Sequence, residues 1–254
     1  MILVLGGTGE SREVATICSA RGYDVLYTST TGIIAGLPEA VEHVVGELDE
    51  RSFSTLLQQY PVRCIVDATH PFATAITALA ARMAETAGIP CIRLERNVDI
   101  TRYDDPSVVV ADSTAHAAEM IVQEAGGILS TVGTRMLPQL CKALGERRSD
   151  LAVRVLPMRA SLAECEKCGI HPSRIIALQG PFDKTFNLWC INRFAATTLL
   201  TKESGDRGGF GEKVEACRET GCRLVVLRRP AHKAVTVCEN VTACLELLAA
   251  TGCC

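Results

Sequence analysis

Four apolar residues in a row, Ile2-Leu3-Val4-Leu5, stop at Gly6-Gly7. A short run that is apolar at every position and closed by glycine predicts a strand buried on both faces, Met1–Leu5. Helical spacing follows over Ser11–Ala20 and ends before Gly22. Further strands are predicted at Asp24–Thr28, Val41–Val45, Val62–Val66 and Pro90–Leu94. Between them lie helices Phe53–Gln59, with Ser52 as its N-cap, and Phe72–Thr86, closed by Gly88. Pro71 suits the first position of the latter helix, with Thr69 or His70 as its cap. The polar stretch RYDDPS (102–107) interrupts the pattern, which then restarts. Strands are predicted at Val108–Val110, Ile128–Val132, Arg154–Leu156, Arg174–Leu178, Thr197–Thr201 and Arg223–Leu227. Helices are predicted at Thr114–Glu124, from Pro138, and at Leu162–Lys167, Phe186–Phe194, Lys213–Thr220 and Val241–Ala250.

Strands alternating with helices predict an α/β fold with parallel sheets flanked by helices. The break at 102–107 predicts two Rossmann-like domains, 1–105 and 106–254, the first binding a dinucleotide and the active site lying in the cleft between the two.

Composition narrows the functions. The 254 residues carry a net charge of -3, which argues against a nucleic-acid surface built on bulk positive charge, and 4% aromatics offer few base-stacking platforms. No apolar run approaches the roughly 20 residues of a membrane span, and Met1 leads into the first strand without a basic leader, so a cytoplasmic protein is expected. The 13 cysteines are then free thiols, with Cys64, Cys91, Cys141, Cys190, Cys222, Cys238 and Cys244 reading as small buried hydrophobes. Cys165-x-x-Cys168 with His171 and Cys253-Cys254 falls short of two well-spaced ligand pairs, so no metal is expected.

The candidate chemistry starts at LGGTGESR (5–12). Gly6, Gly7 and Gly9 let the backbone approach a phosphate, the following helix presents its N-terminal amides, and Thr8 and Ser11 add hydroxyl donors. Arg12 stands where a third fingerprint glycine would be. The second strand ends Tyr27-Thr28-Ser29-Thr30-Thr31-Gly32 with neither acid nor arginine, so Ser29 fits a ribose or a phosphate and the choice between NADH and NADPH stays open. VDATHPFA (66–73) ends a strand with an acid, a hydroxyl and an imidazole; Thr69 and His70 are placed to touch a ligand, and Asp67 to organise the turn. In QGPF (179–182), Gly180, Pro181 and Phe182 follow another strand, Pro181 being suited to open the next helix and Gly180 to a close approach of the nicotinamide or its phosphates.

Taken together, these segments resemble the precorrin-6A reductases of cobalamin biosynthesis. The matching pieces are LGGTGESR, VDATHPFA, IPCIRLER (89–96), QGPF with FN (179–182, 186–187), TKESGDRGGFGEK (201–213) and LRRPA (227–231), spread from the first predicted strand to the last. GELD (46–49) and EKVEAC (212–217) are closer to the anaerobic, cobalt-precorrin branch. The chain departs from the family where Ile33 stands for an arginine after the second strand and where Asp183 stands for a serine after GPF. The resemblance implies hydride transfer from NADH or NADPH to one carbon–carbon double bond of cobalt-precorrin-6A or precorrin-6A, with any cobalt belonging to the substrate. The small-molecule substrate carries acetate and propionate groups, which call for cations at strand ends. Arg93, Arg96, Arg135, Ser204 and Lys213 are the substrate-binding candidates, with Arg228-Arg229 as further cations. Hydride addition also demands charge stabilisation or a proton. Lys202 is the first catalytic candidate, His70 the second, and solvent the third. Two other readings are a non-catalytic NAD(P)-sensing regulator and an atypical short-chain dehydrogenase or epimerase; the latter should show Tyr-x-x-x-Lys, which none of the four tyrosines has.

Overall fold

The computed structural model describes residues 1–30, 32, 36–95, 104–203, 209–229 and 236–252. The chain divides into two compact units, Met1–Asn97 with Pro230–Cys254, and Val98–Arg229.

The first unit begins with β1 (Ile2–Leu5), α1 (Gly9–Ala20), β2 (Val25–Ser29), β3 (Glu42–Val45), α2 (Glu50–Gln59), β4 (Cys64–Asp67), α3 (Thr74–Ala87) and β5 (Cys91–Leu94). The second contains β6 (Val108–Ala111), α4 (Thr114–Val122), β7 (Gly127–Ser130), α5 (Leu137–Leu144), β8 (Leu151–Val155), α6 (Arg159–Lys167), β9 (Ile175–Ala177), α7 (Lys184–Arg193), β10 (Ala196–Lys202), α8 (Phe210–Thr220) and β11 (Arg223–Leu227). The chain then returns to the first unit with β12 (Thr236–Cys238) and α9 (Val241–Ala250).

Each unit holds a six-stranded sheet. The first has the order β3-β2-β1-β4-β5-β12, the second β9-β8-β7-β10-β11-β6. The ladders of both sheets are parallel. Both follow the dinucleotide-fold order 3-2-1-4-5 with a sixth strand added at the same edge. Side chains alternate across the first sheet. Ile2 and Val4 pack with Val14, Cys18, Cys244 and Leu248 of α1 and α9. Leu3 and Leu5 pack with Phe53, Leu56, Leu79 and Ala80 of α2 and α3. This is why a run apolar at every residue is needed: both faces of the strand are covered. In the second unit Leu129, Leu199, Leu224 and Val226 meet Cys190, Phe210 and Val214 of α7 and α8.

The tail, expected with the second domain, is corrected: residues 236–250 complete the first sheet. Thr236 lies opposite Ile92 and Cys238 opposite Leu94, so β12 covers the edge that β5 would otherwise leave unpaired. Cys244, Leu245 and Leu248 bury α9 in the same core as α1. The division also falls at residues 97 and 98 rather than at 105 and 106.

Three of the expected helix-start signals are also corrected. Asp49, not Ser52, caps α2; Ser52 is the third helical residue, and the two exchange side-chain and backbone bonds in a capping box. Pro71 stands in a turn and α3 begins at Thr74, because the Ala73 N–H is already drawn back to the His70 carbonyl at 2.7 Å. Pro181 likewise precedes α7, whose cap is Asp183.

Candidate active site

In the first unit the strand order reverses between β1 and β4, the place where open α/β sheets gather ligands. Two turns leave the sheet there. The β1 turn is fixed by a capping box: Thr8 Oγ1 accepts the Ser11 N–H at 3.1 Å, and Ser11 Oγ accepts the Thr8 N–H at 3.1 Å. The Thr8 hydroxyl donates to the Ala68 carbonyl at 2.8 Å, tying the β1 turn to the β4 turn. Ser11 is fully buried and shares a 2.7 Å hydrogen bond with the Tyr27 hydroxyl, which also accepts the Gly7 N–H at 3.1 Å. The expectation that Thr8 and Ser11 offer hydroxyls to a phosphate is therefore corrected: those hydroxyls build the turn. Gly6 is required for a related reason, since a Cβ there would lie 2.1 Å from the Tyr27 ring. Gly7 is exposed, has φ +116°, and nothing stands within 4 Å of where its Cβ would be. Gly9 is the first helical residue of α1, where N–H groups lie outside the helix's own ladder.

The β4 turn is built on buried charge. Asp67 Oδ1 accepts the Thr69 N–H at 3.1 Å, the Thr69 hydroxyl at 2.7 Å and Arg93 Nη1 at 2.8 Å. Arg93 Nη1 also reaches Thr69 Oγ1 at 3.0 Å, and its Nε lies 3.5 Å from Glu95. Arg93 is 0% exposed, so its expected role as a substrate donor is corrected to that of an internal strut. Thr69 is buried with this group; His70 is exposed at the tip of the turn, its Nδ1 accepting the Phe72 N–H at 3.2 Å. At the end of β2, Ser29 Oγ lies 2.8 Å from His43 Nε2, and the His43 ring packs edge-on against Tyr27.

In the second unit the strand order reverses between β7 and β10. Thr131, just past β7, donates through its N–H to the Leu200 carbonyl of β10 at 2.8 Å. Gly133 follows with φ +80°, and the one-turn 3₁₀ helix Thr134–Met136 carries an exposed Arg135. Lys202 is half-buried at the last position of β10. Burial first, and the Arg135 guanidinium second, pull its ammonium down to about 8. The structure thus brings Lys202 and Arg135 together. Arg229 is instead engaged with Glu203, and Arg228 with Asp112 at 3.3 Å.

The GPF turn leaves β9 nearby in sequence. A Cβ on Gly180 would meet the Phe182 ring at 2.9 Å, so this glycine makes room for Phe182. That ring stacks on Phe186 at 4.9 Å and lies 4.1 Å beneath the Arg154 guanidinium, whose Nη1 donates to Asn187 at 2.9 Å. Pro181 is joined to Gly180 by a cis peptide. Asp183 accepts the Phe186 N–H at 2.7 Å, which accounts for an acid at that position. Lys213 is buried and donates to the Gly209 carbonyl at 2.9 Å; burial, then Arg154, lower it to about 8. The expected surface contact of Lys213 with substrate is corrected accordingly. Arg96 and Ser204 lie outside the described residues, as do Cys253 and Cys254.

The model of the precorrin-6x reductase CbiJ/CobK family matches residues 1–249. The chain belongs to that family. Among relatives of this CbiJ/CobK chain, a cobalt-precorrin-6A reductase of Priestia megaterium is 34% identical over 93% of both chains. One of Methanothermobacter thermautotrophicus is 32% identical over 90% of this chain and 76% of the other. A solved structure of CobK precorrin-6A reductase is 20% identical, covers 99% of this chain and 96% of that one, and superposes with a TM-score of 0.77, a likeness of fold. As a family member the chain is a reductase of the precorrin-6 macrocycle in cobalamin biosynthesis and requires a reductant. Membership decides against the regulator and the short-chain dehydrogenase. Among the described residues, no helix is long and apolar enough to cross a membrane.

The residues present fit a dinucleotide at the β1 turn: Gly7 leaves open space where a side chain would stand, and α1, starting at Gly9, offers its positive end. Sequence reasoning missed Tyr27, His43 and Arg154. Tyr27 had a signal, since it is the one aromatic residue of a second strand that reads Val-Leu-Tyr-Thr-Ser. His43 and Arg154 become visible only through strand register, which places His43 opposite Tyr27 and Arg154 opposite Ile176.

Proposed function

We propose that the chain reduces cobalt-precorrin-6A, the cobalt-holding form of the macrocycle, with NADH or NADPH as reductant. The names of the two curated relatives above support the cobalt form. The exposed Gly7 backbone beside the α1 N-terminus is the observation that carries the nicotinamide dinucleotide.

Gly6, Gly7, Thr8 and Gly9 form the cradle for the phosphates, with Ser11 and Tyr27 holding its shape. Ser29 with His43 takes the adenosine ribose; residues 30–38 contain no charged side chain to choose between a 2′-hydroxyl and a 2′-phosphate. Thr69 fixes the turn that presents His70 beside this cradle. A bound reduced nicotinamide would supply the hydride. The same reduction of a carbon–carbon double bond consumes one proton, and Lys202 provides it or balances the transient negative charge. Arg135, on the same edge, pairs with a peripheral carboxylate; burial first, and Arg135 second, lower Lys202 to about 8, so that it can give up a proton.

The test is turnover under anaerobic conditions of cobalt-precorrin-6A and of metal-free precorrin-6A, each with NADH and with NADPH. Nicotinamide absorbance and the corrinoid spectrum are followed together. Faster oxidation of one nicotinamide with the cobalt substrate is expected; equal rates with the metal-free macrocycle would refute the cobalt preference, and no turnover in any pair would refute the dinucleotide assignment.

A further inference from the structure

Four large apolar side chains stand exposed where the second sheet ends: Leu156 (54%), Met158 (42%), Leu162 (45%) and Leu178 (46%). Val155 and Ala177 are the last paired residues of β8 and β9, so Leu156 and Leu178 leave the sheet side by side, with the Leu178 N–H on the Val155 carbonyl at 3.0 Å. The Met158 N–H turns back to the Leu156 carbonyl at 2.8 Å. Leu162 follows one helical turn later, its N–H on the Met158 carbonyl at 3.1 Å, and so shares a helix face with Met158. Strand pairing thus sets Leu156 beside Leu178, helical spacing sets Met158 beside Leu162, and the turn from Leu156 to Met158 joins the two pairs. Single exposed apolar residues are ordinary, whereas a contiguous group at the carboxyl edge of a parallel sheet marks a binding surface.

Cations border the patch. Arg159 opens α6 and is exposed, and α6 packs against the 3₁₀ turn that carries Arg135. Lys202 lies within electrostatic reach of Arg135. An apolar plate beside several cations is complementary to a flat, conjugated ring system rimmed with carboxylates. A polar nucleotide would leave the four side chains uncovered.

We propose that Leu156, Met158, Leu162 and Leu178 seat one flat face of the tetrapyrrole macrocycle, while Arg135 and Arg159 hold its peripheral carboxylates. This rests on the reductase reading above and names the substrate-positioning surface within it. The residues contribute by position: burying the ring against them fixes which edge of the macrocycle is presented.

Binding of uroporphyrin III, a stable flat tetrapyrrole rimmed with carboxylates, to the full chain tests the assignment by fluorescence titration. In the double variants L156Q/L178Q and M158Q/L162Q the uroporphyrin Kd should rise about tenfold, the loss expected from uncovering part of two apolar side chains. NADH and NADPH affinity and the melting temperature should stay at wild-type values. Arg135→Ala should weaken uroporphyrin binding and reduce its dependence on salt. A wild-type chain that does not bind uroporphyrin, or Kd values within about twofold of wild type in both double variants, would overturn the proposal. Loss of self-association in the variants with unchanged uroporphyrin binding would also overturn it, giving the patch to a second copy. Patch-dependent uroporphyrin binding without turnover of cobalt-precorrin-6A would sink the cobalt-substrate reading alone.

Discussion

At the switch point of the first sheet, β1 hands over to Gly6-Gly7 and β4 to a turn built on the buried Asp67–Arg93 pair. At the same point of the second sheet, β7 hands over to a turn through Gly133, and β10 ends on a half-buried ammonium, Lys202. The strand order is common to both units; the charge at the handover is not. In the first unit the cation is locked inside against a carboxylate, leaving backbone and the N-terminal end of α1 at the switch point. In the second the cations Lys202 and Arg135 sit at the edge. The lesson is that one strand order is compatible with two different charge patterns, set by the residues that close the central strands.

The sharpest way to break this contrast is Arg93→Met. It leaves the Asp67 carboxylate buried without its ion-pair partner, and a loss of about 3–5 kcal/mol in denaturant unfolding is expected. A loss under about 1 kcal/mol would mean that the pair does not hold the β4 turn.

Next in size is Lys202→Ala, expected to lower turnover of the cobalt macrocycle about 100-fold while the melting temperature stays put; Lys202→Arg should recover part of it by restoring the charge. The sign of the pH effect follows from the lowered pKa. Lys202 is charged below about 8 and neutral above it, so wild-type turnover should fall as pH rises through about 8. Arg135→Ala removes a neighbouring positive charge and should move that fall to higher pH. A limb that stays in place in Arg135→Ala would separate the two cations.

A pair of glycine substitutions sharpens the comparison further. Gly6→Ala drives a methyl into the Tyr27 ring and should cost about 2 kcal/mol in unfolding, with dinucleotide affinity falling too. Gly133→Ala meets no atom within 4 Å and strains only a backbone at φ +80°, so about 1 kcal/mol is expected. Equal costs would show that the two turns are built alike. Smallest is Asp183→Ala, which removes the α7 cap and should cost about 1 kcal/mol by thermal unfolding without touching dinucleotide binding.

Much of the fold was legible because its strands are short, apolar and bounded by glycine, as at Ile2–Leu5 before Gly6 and Cys91–Leu94 after Gly88. β12 escaped because Thr236–Cys238 is three residues long and its meaning lies in the edge of β5, far back in the chain. Ser52 was mistaken for the α2 cap because both members of a capping box are cap-forming residues. Pro71 and Pro181 misled because proline suits a turn as well as a first helical position. Among the candidate residues, the glycine turn and Lys202 do stand at strand ends, just after β1 and at the last position of β10. Arg93 reads as a substrate-binding cation because a charged residue near a strand end looks the same whether it faces a ligand or a buried partner. Its partner, Asp67, lies 26 residues away, joined to it only by the pairing of β4 with β5.

The return of the chain to the first sheet at β12 sets an order of assembly. A ribosome releasing this chain delivers β1 to β5 first, yet β12 emerges only after all of β6 to β11. The second sheet can therefore be complete while the first still has an open edge on the nascent polypeptide, reversing the usual habit by which the leading domain matures first.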